Sequence, residues 1–151
     1  MMRSKTRCLV ISICIVIAIA IAAVMFWPLT CSRLIQPEHG DITIYIVTPD
    51  FSSSTSIPTF TSEQWTVPSN SDEYAEILEI MGKYHCHRKI RCIEQDDHQS
   101  WITMYSESGL LILEYRGTDD FNAGNTHYSL YGEGNGQAMM NAIHSFLLSQ
   151  Q

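Results

Sequence analysis

Ser100–Arg116 reads SWITMYSESGLLILEYR. Ser100–Tyr105 and Leu110–Arg116 are rich in β-branched and aromatic residues, and the Ser106-Glu107-Ser108-Gly109 between them has turn chemistry. Strands joined by so short a connector must run antiparallel, because a parallel pair needs a crossover of a dozen or more residues. The pattern continues on both sides. Gly117–Gly124 precedes a further strand at Thr126–Tyr131, and Glu94–Gln99 follows one at His85–Ile93. Closely spaced strands of this kind form an antiparallel meander.

Upstream, Asp41–Thr48 (DITIYIVT) is a first strand. Pro49–Ser62, heavy in serine and threonine, reads as an irregular loop, and Gln64–Val67 as a short strand that Pro68 ends. Asn70 and Glu73 have the spacing of a capping box, with asparagine in place of the usual Ser/Thr. Tyr74, Ile77, Leu78 and Met81 then recur at i, i+3, i+4 and i+7, and Gly82 is a stop. A second helix over Gln137–Leu148 carries a stripe of Met139/Met140, Ile143, Phe146 and Leu147. The expected order is β-β-α-β-β-β-β-α. Two amphipathic helices on one face of an antiparallel sheet make an α+β two-layer sandwich.

Ahead of this domain lies Cys8–Trp27 (CLVISICIVIAIAIAAVMFW), apolar except for Ser12. As a helix it spans roughly 30 Å, the thickness of a bilayer's hydrocarbon core. Arg3, Lys5 and Arg7 precede it, the aromatic pair Phe26-Trp27 ends it, and Pro28 follows. Basic flanks stay in the cytoplasm. The expected organisation is therefore a cytoplasmic N-terminus (1–7), a signal-anchor helix at the cell membrane (8–27), a stem (28–40) and an outer domain (41–149). A cleaved signal peptide is the competing reading, since Ala18, Ala20, Ala22 and Ala23 offer small residues for a cleavage site. The apolar run continues past them, longer than a signal core of about 7–15 residues.

All 16 acidic residues lie at or after Glu38, against six basic ones beyond the anchor, which leaves the outer part ten charges negative. So acidic a domain repels phosphate backbones, and nucleic acid is not an expected partner. The expected contacts are the membrane, through the N-terminal helix, and another envelope protein.

His85-Cys86-His87, with Cys92 and His98 nearby, is the one neighbourhood rich in metal ligands. His85, His87, Cys86 and Cys92 are the metal candidates. Strand alternation works against them, because it puts the two histidines on one face and the two cysteines on the other. The plain alternative is a strand with buried thiols. A Cys86–Cys92 disulfide would have to bridge roughly 20 Å of extended chain, so it requires a turn between them. Pairing of Cys31 with Cys86 or with Cys92 stays open.

Gly132-Glu133-Gly134-Asn135-Gly136 looks superficially like a phosphate-cradling turn. Gln137 breaks the G-x-G-x-x-G spacing and no βαβ unit follows, so a plain strand-to-helix connection is the better reading. Asp96-Asp97-His98 and Asp119-Asp120 read as solvated turn residues. No nucleophile elbow occurs, no catalytic residue is assigned and no cofactor is expected.

The order of elements, with the Tyr128-Ser129-Leu130-Tyr131-Gly132-Glu133-Gly134 segment before the last helix, resembles small membrane-anchored extracytoplasmic domains of unknown function in Gram-positive bacteria. That resemblance covers about residues 1–149 and brings no catalytic residue with it. The expected function is non-enzymatic binding of a protein or ligand, with enzymatic activity left open. The alternative is a metal- or thiol-responsive extracytoplasmic sensor centred on the His85–Cys92 strand.

Overall fold

The computed structural model describes residues 2–35, 37–52, 58–90 and 99–151. Helix α1 (Met2–Phe26) is followed by β1 (Leu29–Thr30) and two 3-10 turns, Cys31–Leu34 and Pro37–His39. Then come β2 (Ile42–Asp50), β3 (Thr59–Val67), α2 (Asp72–Gly82), β4 (His85–Lys89), β5 (Trp101–Ser106), β6 (Leu111–Arg116), β7 (Asp120–Ala123), β8 (Thr126–Leu130) and α3 (Asn135–Leu148). The eight strands form one antiparallel sheet in the order β1-β4-β8-β7-β6-β5-β2-β3. The α+β class and the single antiparallel sheet are as the sequence predicts, but β4 leaves the expected meander: it pairs with β8 and β1 rather than with β5.

One face of the sheet supplies Ile42, Ile44, Ile46, Ile102, Met104, Leu113, Tyr115, Phe121, Tyr128 and Cys86 to the core. The helices supply Tyr74, Ile77 and Met81 from α2 with Met139, Met140, Ile143 and Leu147 from α3. Leu78 and Phe146, counted in the expected stripes, pack at the margin of this core and are only partly buried. Ile80, which the stripe omitted, is buried. Neither helix could bury its stripe alone, so the two share the sheet's apolar face.

Four differences from the expected layout have physical reasons. Strand β7 occupies what reads as the Gly117–Gly124 connector, because Phe121 fills the core and stacks on Tyr128, their ring centroids 5.6 Å apart. Strand β3 starts five residues before the expected Gln64, pairing Thr59 with Asp50. As an edge strand it is largely exposed and needs little apolar alternation to betray it. Helix α2 is capped by Ser71 rather than Asn70: the Ser71 hydroxyl accepts from the Tyr74 N–H at 3.1 Å. The expected stem is also part of the fold. Leu29 and Thr30 pair with Cys86 and His85, and Cys31 and Ile35 are buried.

Among the described residues no helix is long and apolar enough to cross a membrane. The side chains described on α1 run from Leu9 to Met25, fewer than the about 20 residues that a span takes. This departs from the expected transmembrane helix over 8–27, of which the side chains of residues 8 and 26 lie outside the described set. Trp27 and Leu29 line a shallow pocket with Arg88 where α1 meets the sheet.

Candidate functional site

Helices α2 and α3 cover one face of the sheet and leave the other open except at β4, where α1 lines a pocket with His87 and Lys89. Strand alternation that sends Ile44, Ile102, Leu113, Phe121 and Tyr128 inward sends their neighbours to this open face. One register line crosses seven strands there: Gln64, Tyr45, Thr103, Glu114, Asn122, His127 and Lys89. Across the meander half the side chains are wired together. The Glu114 carboxylate accepts from Arg116 at 2.6 and 3.0 Å on one oxygen and from the Asn122 amide at 3.1 Å on the other. The Asn122 carbonyl oxygen lies 2.5 Å from His127 Nδ1.

A second row pairs Asp120 with Ser129 and Ser129 with His87. Asp120 is in ion-pair contact with Lys89 across the intervening β8. Burial pushes the Asp120 carboxyl up, but the hydrogen bonds from Lys89 and Ser129 and the positive charges of Lys89 and His87 outweigh it. The net effect holds Asp120 below the ordinary carboxylate value.

The other half of the face is aromatic and hydroxylic. Tyr45 and Tyr105 meet edge to face with centroids 5.8 Å apart, and Phe60 lies 5.3 Å from Trp101. A groove of about 580 Å³ is lined by Tyr45, Tyr105, Thr43, Thr103, Ser62 and Glu107 among others. The Ser106–Gly109 turn closes one end. Gly109 N donates to the Ser106 carbonyl at 2.9 Å, with Gly109 at φ +77°. Hydroxyls and aromatic faces side by side can hold a polar ligand by hydrogen bonds and stacking.

Of the metal candidates, the three within the described residues, His85, Cys86 and His87, do not converge. His85 is exposed beside β1, His87 lies on the open face with its ring 4.8 Å from that of Tyr131, and Cys86 is buried in the core on the opposite side. Among the described residues no group of three or more His, Cys, Asp or Glu side chains could hold a metal ion. Cys92, His98 and Asp96-Asp97 lie outside the described residues.

Cys86 has a different neighbour, the thiol of Cys31. The two are fully buried and hydrogen-bonded to each other. That bond, followed by burial and the proximity of Cys86, pushes the Cys31 thiol up, and the same bond lowers Cys86.

Asp119, expected in a solvated turn, instead caps α3. Its two carboxylate oxygens accept from Gly134 N at 2.9 Å and Gly136 N at 2.8 Å. The glycine-rich turn thus holds an anion, but one supplied by the chain itself. The open-face network escaped sequence reasoning because its members are polar residues at alternate positions of separate strands. The one available signal was that alternation itself, read across the meander as a register.

Compared with protein-family models, curated proteins and solved structures, the chain matches none.

Proposed function

We propose that this protein is a single-pass, membrane-anchored extracytoplasmic domain that binds a protein or ligand, without catalysis, through the open face of its sheet. The observation that carries the binding role is the open face itself. Both amphipathic helices pack on the opposite side, and the uncovered side carries the Tyr45–Tyr105 groove beside a hydrogen-bonded polar row. Polar groups already fixed by one another present donors and acceptors at little entropic cost on binding.

The anchor is supported by the apolar run 8–27 and by exposure. Leu9, Val10, Ile11, Ile13, Ile15, Val16, Ile17, Ile19, Ile21 and Val24 are each at least half exposed on α1. So long an uncovered apolar surface marks an interaction with membrane or protein. The basic residues at 3, 5 and 7 favour a cytoplasmic N-terminus and an outer C-terminal domain.

Photo-crosslinking in native membranes tests the binding face. A benzophenone side chain replacing Tyr45 should form adducts that the same group at Ala138, exposed on α3, does not. Equal yields at both positions would reject the open face. Alkaline extraction tests the anchor, and an intact chain in the supernatant would reject it. The second reading, a thiol-responsive sensor centred on residues 85–92, draws support from the Cys31–Cys86 pair. It forecasts that a thiol oxidant changes the adduct yield at Tyr45, whereas constitutive binding forecasts no change.

A further inference from the structure

The segment leaving α1 is held to the sheet at two backbone pairs, Leu29 with Cys86 and Thr30 with His85. The next residue, Cys31, donates its N–H to the Tyr84 carbonyl at 3.0 Å. Cys31 therefore stands opposite Tyr84 and diagonal to Cys86, on the face that turns into the core. There the 3-10 turn that begins at Cys31 brings its sulfur into hydrogen-bond contact with that of Cys86, and neither residue has any exposed surface. Two paired strands, one edge, and two fully buried thiols set diagonally on the same face make a site for a covalent bond.

We propose that Cys31 and Cys86 form a disulfide that staples the anchor-proximal strand β1 to β4. The oxidant is a disulfide, small-molecule or protein. The Cys86 thiolate attacks one of its sulfurs, forming a mixed disulfide and releasing one thiolate. Cys31 then gives up its proton, and its thiolate attacks the Cys86 sulfur, breaking the mixed disulfide and releasing the second thiolate. Two thiols are oxidised, the oxidant's bond is reduced, and two protons end on the two departing thiols. Because both sulfurs are buried in the closed fold, the first step takes place while the two-residue strand β1 is undocked, and redocking brings Cys31 to the Cys86 sulfur for the second. The bond closes a long loop, from before β2 to β4, and the constraint on the unfolded chain grows with loop length.

The in-cell part of the test rests on the extracytoplasmic placement proposed above, so two separate measurements are needed. The full chain in detergent micelles is refolded in a buffer of reduced and oxidised glutathione, denatured and alkylated. Three of the five cysteines should alkylate, and peptide mapping should link Cys31 to Cys86. Reductant should lower the melting midpoint by roughly 10 °C. Cys92→Ser should keep the linked peptide, and Cys31→Ser should lose it. Five alkylated cysteines, or a bond from Cys92 to either partner, would overturn the proposal. Acid-trapped cells report on topology: a pair that forms in the refolded chain but stays reduced in cells would overturn the outer placement and leave the disulfide standing.

Discussion

Two single residues carry strain or debt that a substitution can expose. A Cβ on Gly136 would stand 2.3 Å from Cε2 of Tyr115 and 2.7 Å from the Thr118 carbonyl oxygen. The ring is fully buried and the oxygen is backbone, so neither can move aside. Gly136→Ala should cost about 3 kcal/mol by overpacking, measured as a shift in the urea midpoint. A midpoint like that of the parent would mean that α3 can slide along the sheet. Tyr74 offers the opposite sign. Its hydroxyl is buried with no hydrogen-bond partner among the described residues, and burial pushes its ionisation up. Tyr74→Phe should stabilise by about 1 kcal/mol, since the unpaired group loses its desolvation cost. A loss of stability would reveal a partner for the hydroxyl. The sequence marked Tyr74 as a core residue from its place in the helix stripe, but an unmet hydroxyl is a property of what surrounds it. Gly136 likewise read as part of a loose turn, because nothing local says that Tyr115 lies against it.

At the scale of elements, periodic apolar signals were legible and short or polar ones were not. Helices α2 and α3 were read from stripes whose burial needs only their own spacing, and Ile77→Asp should cost several kcal/mol by burying an unpaired carboxylate. A folded Ile77→Asp chain, judged by near-ultraviolet circular dichroism, would count against the shared core. Strand β7 was missed because four residues, with Phe121 as their one large apolar member and the small Ala123 beside it, give too short an alternation to detect, and the Phe121 ring on Tyr128 seats it in the core. The cap of α3 was missed for a related reason. Asp119 lies 15 residues before the Gly134 N–H it accepts from, beyond the reach of any capping motif. Asp119→Ala should loosen the first turn of α3 and cost about 1 kcal/mol, with Asp119→Asn recovering part of it. Amide exchange at Gly134 and Gly136 reports this directly, and unchanged protection in Asp119→Ala would dismiss the cap.

For the whole molecule, the question is what keeps β4, and the α1 segment attached through β1, on a sheet that ends there. Among the described residues the backbone ladder joins β4 only to β8 and to the two residues of β1. Lys89 adds a tie beyond that ladder, reaching over β8 to Asp120 on β7. Asp120 is mostly buried and Lys89 about a third exposed, which makes the pair worth more than a surface bridge and less than a fully buried one. Because the folded-state ionisation of Asp120 lies below its value in the unfolded chain, about 3.9, the folded state binds fewer protons through this group. The contribution is therefore complete above that value and fades as pH falls through the lower, folded one. Asp120→Asn should lower stability at neutral pH by about 1 kcal/mol, and the gap from the parent should narrow as the pH is taken down to about 3. Urea titrations of the full chain in detergent at successive pH values measure that gap. A gap independent of pH would place the effect of the substitution in packing or in the hydrogen bond from Ser129, and would remove the charge tie as what holds the β1–β4 edge to the meander.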